Sequence, residues 1–170
     1  LVANLNSGLS GVNIYYAQYI LGDPNLVGLI GFASFLPIIV GVLLSGPIIV
    51  KFGKRNSSIG GAVLTLVGCG IIMVSPSSIP MVMAGLIIKG LGAAPMLITS
   101  YAMLGDTIEY GEWKNGTRAE GLTFSAASFG EKVGTGLGGA VLGGILAVGG
   151  YIGGQATQSA SAITSIKFSF

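Results

Sequence analysis

The chain has 170 residues, 51% of them hydrophobic and only 8% charged, with a net charge of +2 and no histidine. Soluble domains carry roughly 25% charged residues, so the composition excludes an ordinary soluble fold, and the small net charge gives no basis for nucleic-acid binding. One cysteine, Cys69 in an apolar run, excludes a disulfide framework and a Cys/His zinc site.

A membrane-spanning helix needs about 20 mostly apolar residues. Residues 1–21 read as the end of one span, with Asn6, Asn13 and Gln18 on a polar face beside Tyr15 and Tyr16. Complete spans are expected over 26–50, 58–74, 79–104 and 121–150, and residues 161–170 begin another. The connections Gly22-Asp23-Pro24-Asn25 and Ser75-Pro76-Ser77-Ser78 are turn sequences. Turns this short make successive spans antiparallel. The first residues lack the basic region and cleavage site of a signal peptide, and the chain opens on Leu1 within helix-like sequence. The expectation is a fragment of a longer polytopic protein, all-α in class.

Lys51, Lys54 and Arg55 follow the first complete span, and Lys114 and Arg118 follow the third, whereas 22–25, 75–78 and 151–160 hold no Lys or Arg. The positive-inside rule therefore places loops 51–57 and 105–120 in the cytoplasm. On that side the sequon Asn115-Gly116-Thr117 escapes glycosylation. Lys89 lies ten residues into its span and Lys132 eleven residues past Gly121. At 1.5 Å per residue both reach about 15 Å into a ~30 Å hydrocarbon core.

A cation at that depth is costly and is kept mainly for a cavity, a partner charge or a solute. On the helix around Lys132, the residues Ser125, Ser128, Lys132 and Gly136 share one face, and Gly130, Gly134 and Gly138 share roughly the opposite one. The glycine ridge suits close helix packing. The polar face suits hydrogen bonding to a solute. The alternative is structural: Glu131 neutralises Lys132, or pairs with Lys89 across neighbouring helices. Gly134-Thr-Gly136-Leu-Gly138-Gly139 lies inside a span with no preceding strand, so it is not a dinucleotide loop.

Between the third and fourth complete spans, Asp106, Glu109 and Glu112 recur every three residues. They read as an ion-pair cluster with Lys114 and Arg118 that closes the cytoplasmic side of a pathway. A solvated loop is the plainer alternative, and a divalent metal site is only weakly supported without a rigid loop. No nucleophile–base pair points to an enzyme, since Ser128 and Lys132 one turn apart would be the sole dyad. A non-transporting sensor or scaffold of the same fold is the other alternative.

The run Asp106-Thr-Ile-Glu-Tyr-Gly-Glu-Trp-Lys-Asn-Gly-Thr-Arg-Ala-Glu-Gly121 leads into Phe124-Ser-x-x-Ser-Phe-x-x-Lys132 and Gly134-x-Gly-Leu-Gly-Gly. Together they closely resemble the glycoside–pentoside–hexuronide:cation symporters. Tyr15-Tyr16 before Gly22-Asp-Pro resembles the end of that family's seventh helix. Gly46-x-x-x-x-Lys51-Phe-Gly53-Lys54-Arg55 resembles the basic loop motif of the wider major facilitator superfamily, with Val50 where the usual acidic residue stands. The resemblance implies a major-facilitator C-terminal half, from the end of helix seven to the start of helix twelve, in the cell (inner or plasma) membrane. It implies Na⁺- or H⁺-coupled import of a sugar, glycoside, pentoside or hexuronide by alternating access; transport of another organic anion is the alternative. Lys132 and Ser128 would line the sugar site, with Ser125, Asn13 and Tyr16 as further candidates. Asp106, Glu109 and Arg118 would form cytoplasmic gate ion pairs. The coupling-ion site is expected in an N-terminal half, the implied partner alongside the lipid bilayer, and no other cofactor or metal is implied.

Overall fold

A computed structural model describes residues 11–21, 25–153, 155 and 158–170. Asn6 and most of the first turn, residues 22–24, lie outside them. The described elements are α1 (Val12–Tyr19), α2 (Leu26–Val74), α3 (Ile79–Asn115), α4 (Glu120–Val148) and α5 (Ala160–Ser169). Three helices, α2, α3 and α4, are long and apolar enough to cross a membrane. Lipid explains the architecture: without water, each backbone N–H and C=O must be satisfied inside its own helix.

The chain forms two compact units, Ile30–Thr123 and Leu1–Leu29 with Phe124–Phe170. In the first unit, α2 is 49 residues long, which as a straight rod would be about 74 Å, over twice the hydrocarbon thickness. It is not straight. Gly53, at φ 81° and ψ 160°, breaks the helical path. That region of backbone space is essentially reserved for glycine. Across the break the Ser57 hydroxyl donates to the Ile48 carbonyl at 3.4 Å. Residues nine apart would be about 13 Å apart on one helix, so the chain doubles back here. The expected spans 26–50 and 58–74 thus meet at a tight corner rather than through a seven-residue loop.

The glycines show how α3 lies against the two arms. A Cβ on Gly41 would meet Ala94 and Leu91, and one on Gly90 would meet Pro37 and Ser34, so the first arm runs parallel to α3. Gly61 faces Gly92 and Pro95, while Gly68 faces Lys89 and Gly85, so the second arm is antiparallel to it. At this seam the backbones touch: a Cβ on Gly92 would lie 2.6 Å from the Gly61 carbonyl oxygen. Hydroxyls in the seam are satisfied locally. Ser45 donates to the Gly41 carbonyl at 2.6 Å and Thr99 to that of Pro95 at 2.7 Å. Gly53→Ala is expected to cost about 1–3 kcal/mol by forcing a side chain into a strained conformation, read as an earlier denaturant midpoint for the purified membrane protein.

α3 continues three turns past the expected end at 104, to Asn115. Residues 105–115 are too polar for lipid, but Glu and Lys are good helix formers in water. The helix ends where Gly116 takes a left-handed conformation (φ 68°) and its N–H donates to the Glu112 carbonyl.

In the second unit α4 buries Gly134, Gly138, Leu142 and Leu146, a strict every-fourth-residue stripe. α5 is capped by the Ser159 hydroxyl, which accepts from the Ala162 N–H. It packs at the end of α4, where Ser161 donates to the Gly149 carbonyl at 2.9 Å. α1 runs alongside the same end. Gly11 is level with Leu142, and the rings of Tyr15 and Tyr19 meet Tyr151 edge-on at 5.1 and 5.8 Å. Burial among these rings, with a hydrogen bond to Tyr19, raises the Tyr151 phenol to about 12.

Candidate functional site

Two cavities compete for the role of solute site. The first, of about 390 Å³, lies between the arms of α2 and α3 and is lined by residues such as Gly41, Leu44, Ile48, Gly61 and Leu91. No charged side chain lines it. The second is an open groove of about 500 Å³ on α4, lined by Ser128, Glu131, Lys132, Thr135 and Gly136. The first also holds Ser45, Asn56 and Ser57, whose donors are taken up by the Gly41, Phe52 and Ile48 carbonyls; only the second adds charged groups to its hydroxyls.

The groove follows from helix periodicity. Ser128, Lys132 and Thr135 are spaced by four and three, so they share a face, and Gly136 leaves room between them. The Gly134–Gly138 stripe is buried on the other side, so the side that packs and the side that lines the groove are separate. Lys132 is twelve residues past Glu120, about 18 Å along α4 and close to mid-membrane. Within its unit it forms no ion pair within 4.0 Å among the described residues. Glu131 lines the same groove although it sits 100° round the helix, because both side chains are long and the groove is wide. Thr135 donates its hydroxyl proton to the Glu131 carbonyl at 3.0 Å. Its spacing from Ser128 and Lys132 is the signal that sequence reasoning passed over.

The other predicted residues fall elsewhere. Ser125 is exposed one turn before the groove and does not line it. Asn13 and Tyr16 are not brought to it. Their helix is level with Leu142 and Tyr151, and Leu142 is ten residues beyond Lys132, about 15 Å along α4. Tyr16 is fully buried, with its ring stacked on Phe170 at 3.8 Å. Lys89 is half-buried in the first unit with its backbone against Gly68. Glu131 belongs to the second unit.

The acidic run is sorted into two separate sets of ion pairs. Asp106 takes both carboxylate oxygens to Lys54, at 2.6 and 2.7 Å, tying the α2 corner to the polar extension of α3. Arg118 instead bridges Glu112 at 2.8 Å and Glu120 at 3.1 Å, joining the end of α3 to the start of α4. The hydrogen bonds that the Arg118 guanidinium donates to Glu120 and Glu112 push it further up, so it stays charged throughout the physiological range. Glu109 makes no ion pair among the described residues. Lys54 was not among the expected gate residues, because the partners are 52 residues apart in sequence. These pairs are about half exposed, and exposed pairs are worth roughly 0–1 kcal/mol. At that strength they do not hold the fold together.

Residues 6–170 match the family described as MFS/sugar transport protein. The chain is 36% identical over 163 residues to the isoprimeverose transporter of Lactiplantibacillus pentosus, an alignment covering 95% of this chain and 34% of that protein. It is 33% identical over 168 residues to the glucuronide carrier protein homolog of Escherichia coli (strain K12), covering 95% of this chain and 35% of that protein. The chain therefore spans about a third of the length of the curated relatives it matches.

Proposed function

Because this chain belongs to the MFS/sugar transport family, we propose that it is part of the C-terminal half of an integral membrane carrier that imports a sugar or glycoside with Na⁺ or H⁺. The observation that carries this reading is the α4 groove, with Lys132, Glu131, Ser128 and Thr135 at mid-membrane depth and a packed glycine face behind it. A sugar is a dense array of donors and acceptors, and each one buried without a partner costs about 1–3 kcal/mol. A groove with an ammonium, a carboxylate and two hydroxyls can satisfy several of them at once.

In this mechanism the solute binds against α4 between the two halves, and the halves then rock about it. Lys54–Asp106 and Arg118 with Glu112 and Glu120 lie on the positive-inside face. There they favour the inward-closed arrangement and separate when the inner side opens. The driving ion binds in the N-terminal half. No covalent step is required, and the carrier is not an enzyme. The relatives named for isoprimeverose and for glucuronide fit this reading.

The test is uptake of labelled methyl β-xyloside into proteoliposomes holding the complete carrier, under an imposed Na⁺ or H⁺ gradient. Accumulation above equilibrium is expected with one of the two ions. A carrier that accumulates no glycoside or sugar acid under either gradient contradicts the reading.

A further inference from the structure

We propose that the α4 groove selects neutral glycosides over sugar acids, and that Glu131 sets the preference. This rests on the transport reading above and names the substrate class of the same groove. Lys132 alone would make an anion site. The groove does not hold Lys132 alone: Glu131, its neighbour in sequence, is among the residues that line it, and both are exposed. No ion pair within 4.0 Å ties them to each other, so both remain available to a solute.

Two consequences follow. A solute carboxylate drawn to Lys132 must sit beside a second carboxylate. At groove dimensions the repulsion offsets a large part of the attraction, since both fall only as the inverse of distance. The second concerns Thr135. Its proton is committed to the Glu131 carbonyl at 3.0 Å, so towards the solute its oxygen is an acceptor. Glu131 is likewise an acceptor while ionised, whereas Lys132 only donates. The groove therefore asks for groups that donate as well as accept. Hydroxyls do both; a carboxylate only accepts. A vicinal diol can accept from Lys132 while donating to Glu131 and Thr135; a sugar acid carries such diols too, so what sets it apart is its carboxylate, which only accepts and meets a like charge in Glu131.

The experiment compares initial uptake of methyl β-xyloside and methyl β-glucuronide, below saturation, by the complete carrier in proteoliposomes. The wild type is expected to favour the xyloside. Glu131→Gln should raise the glucuronide-to-xyloside ratio about tenfold, equivalent to ~1.4 kcal/mol, and Glu131→Asp should keep the wild-type ratio. A wild type that favours the glucuronide, or an unchanged ratio in Glu131→Gln, overturns the proposal. If Glu131→Gln does not reach the membrane, the wild-type preference still decides. A wild type that transports neither sugar overturns the transport reading itself, which separates the two failures.

Discussion

Lys132→Ala is expected to lower sugar uptake below saturation by roughly 10- to 100-fold while leaving the protein at least as stable. The two halves of that expectation come from different physics. A hydrogen bond to a charged group contributes about 1.5–3 kcal/mol, which sets the loss in transport. The ammonium contributes nothing comparable to folding. It is exposed in the groove, has no ion-pair partner among the described residues of its unit, and lies away from the buried Gly134–Gly138 stripe. Removing an unpaired charge from mid-membrane relieves about 2.5–3.5 kcal/mol on the translocon scale, so the denaturant midpoint should hold or rise. A structural lysine would do the opposite, because its removal would leave a partner carboxylate unpaired and destabilise the protein. Measuring uptake and midpoint on the same preparation separates the roles, and a fall in midpoint with uptake retained contradicts the assignment. Lys132→Arg should recover only part of the activity, since a planar fork replaces a compact cation with rotatable donors.

The spans were legible in the sequence because the bilayer leaves little choice: a 20-residue apolar run must be a helix. What hydropathy cannot read is helix outside lipid. Residues 105–115 look like a loop because they are polar, yet they continue α3 until Gly116 stops it. Nor does hydropathy show that Gly53 alone turns the chain. On α4 the separation of a groove face from a glycine face follows from 100° steps, and Lys132 and Ser128 follow with it. Placing Asn13 and Tyr16 needed something else, the register of α1 against α4, which depends on contacts at Leu142 and Tyr151 that no periodicity reveals. The same holds for the ion pairs: Asp106 and Arg118 share one polar run, yet Asp106 pairs with Lys54, 52 residues away in sequence.

The helix-interior glycines of the first unit divide into two kinds, with opposite expected effects on folding. A Cβ at Gly92 would sit 2.6 Å from the Gly61 carbonyl oxygen and the Thr65 nitrogen, backbone atoms that cannot rotate away. At Gly70 a Cβ would meet nothing within 4 Å. Alanine favours a helix interior over glycine by about 0.5–1 kcal/mol, so Gly70→Ala is expected to be neutral or mildly stabilising. Gly92→Ala gains the same propensity but must push two helices apart, and overpacking of this sort costs about 1–3 kcal/mol. Its midpoint should fall clearly below that of Gly70→Ala. Gly61→Ala should behave like Gly92→Ala, because its Cβ would lie 2.5 Å from the Gly92 carbonyl oxygen. The two substitutions open the same gap, so the double variant should cost less than the sum of the singles. Equal midpoints for Gly92→Ala and Gly70→Ala would mean that the backbones do not touch at this seam. A touching seam makes the second arm of α2 and α3 a rigid pair. In the carrier proposed above the two would then move together, leaving the corner at Gly53 and the ion pairs beyond it as the places where the arrangement can change.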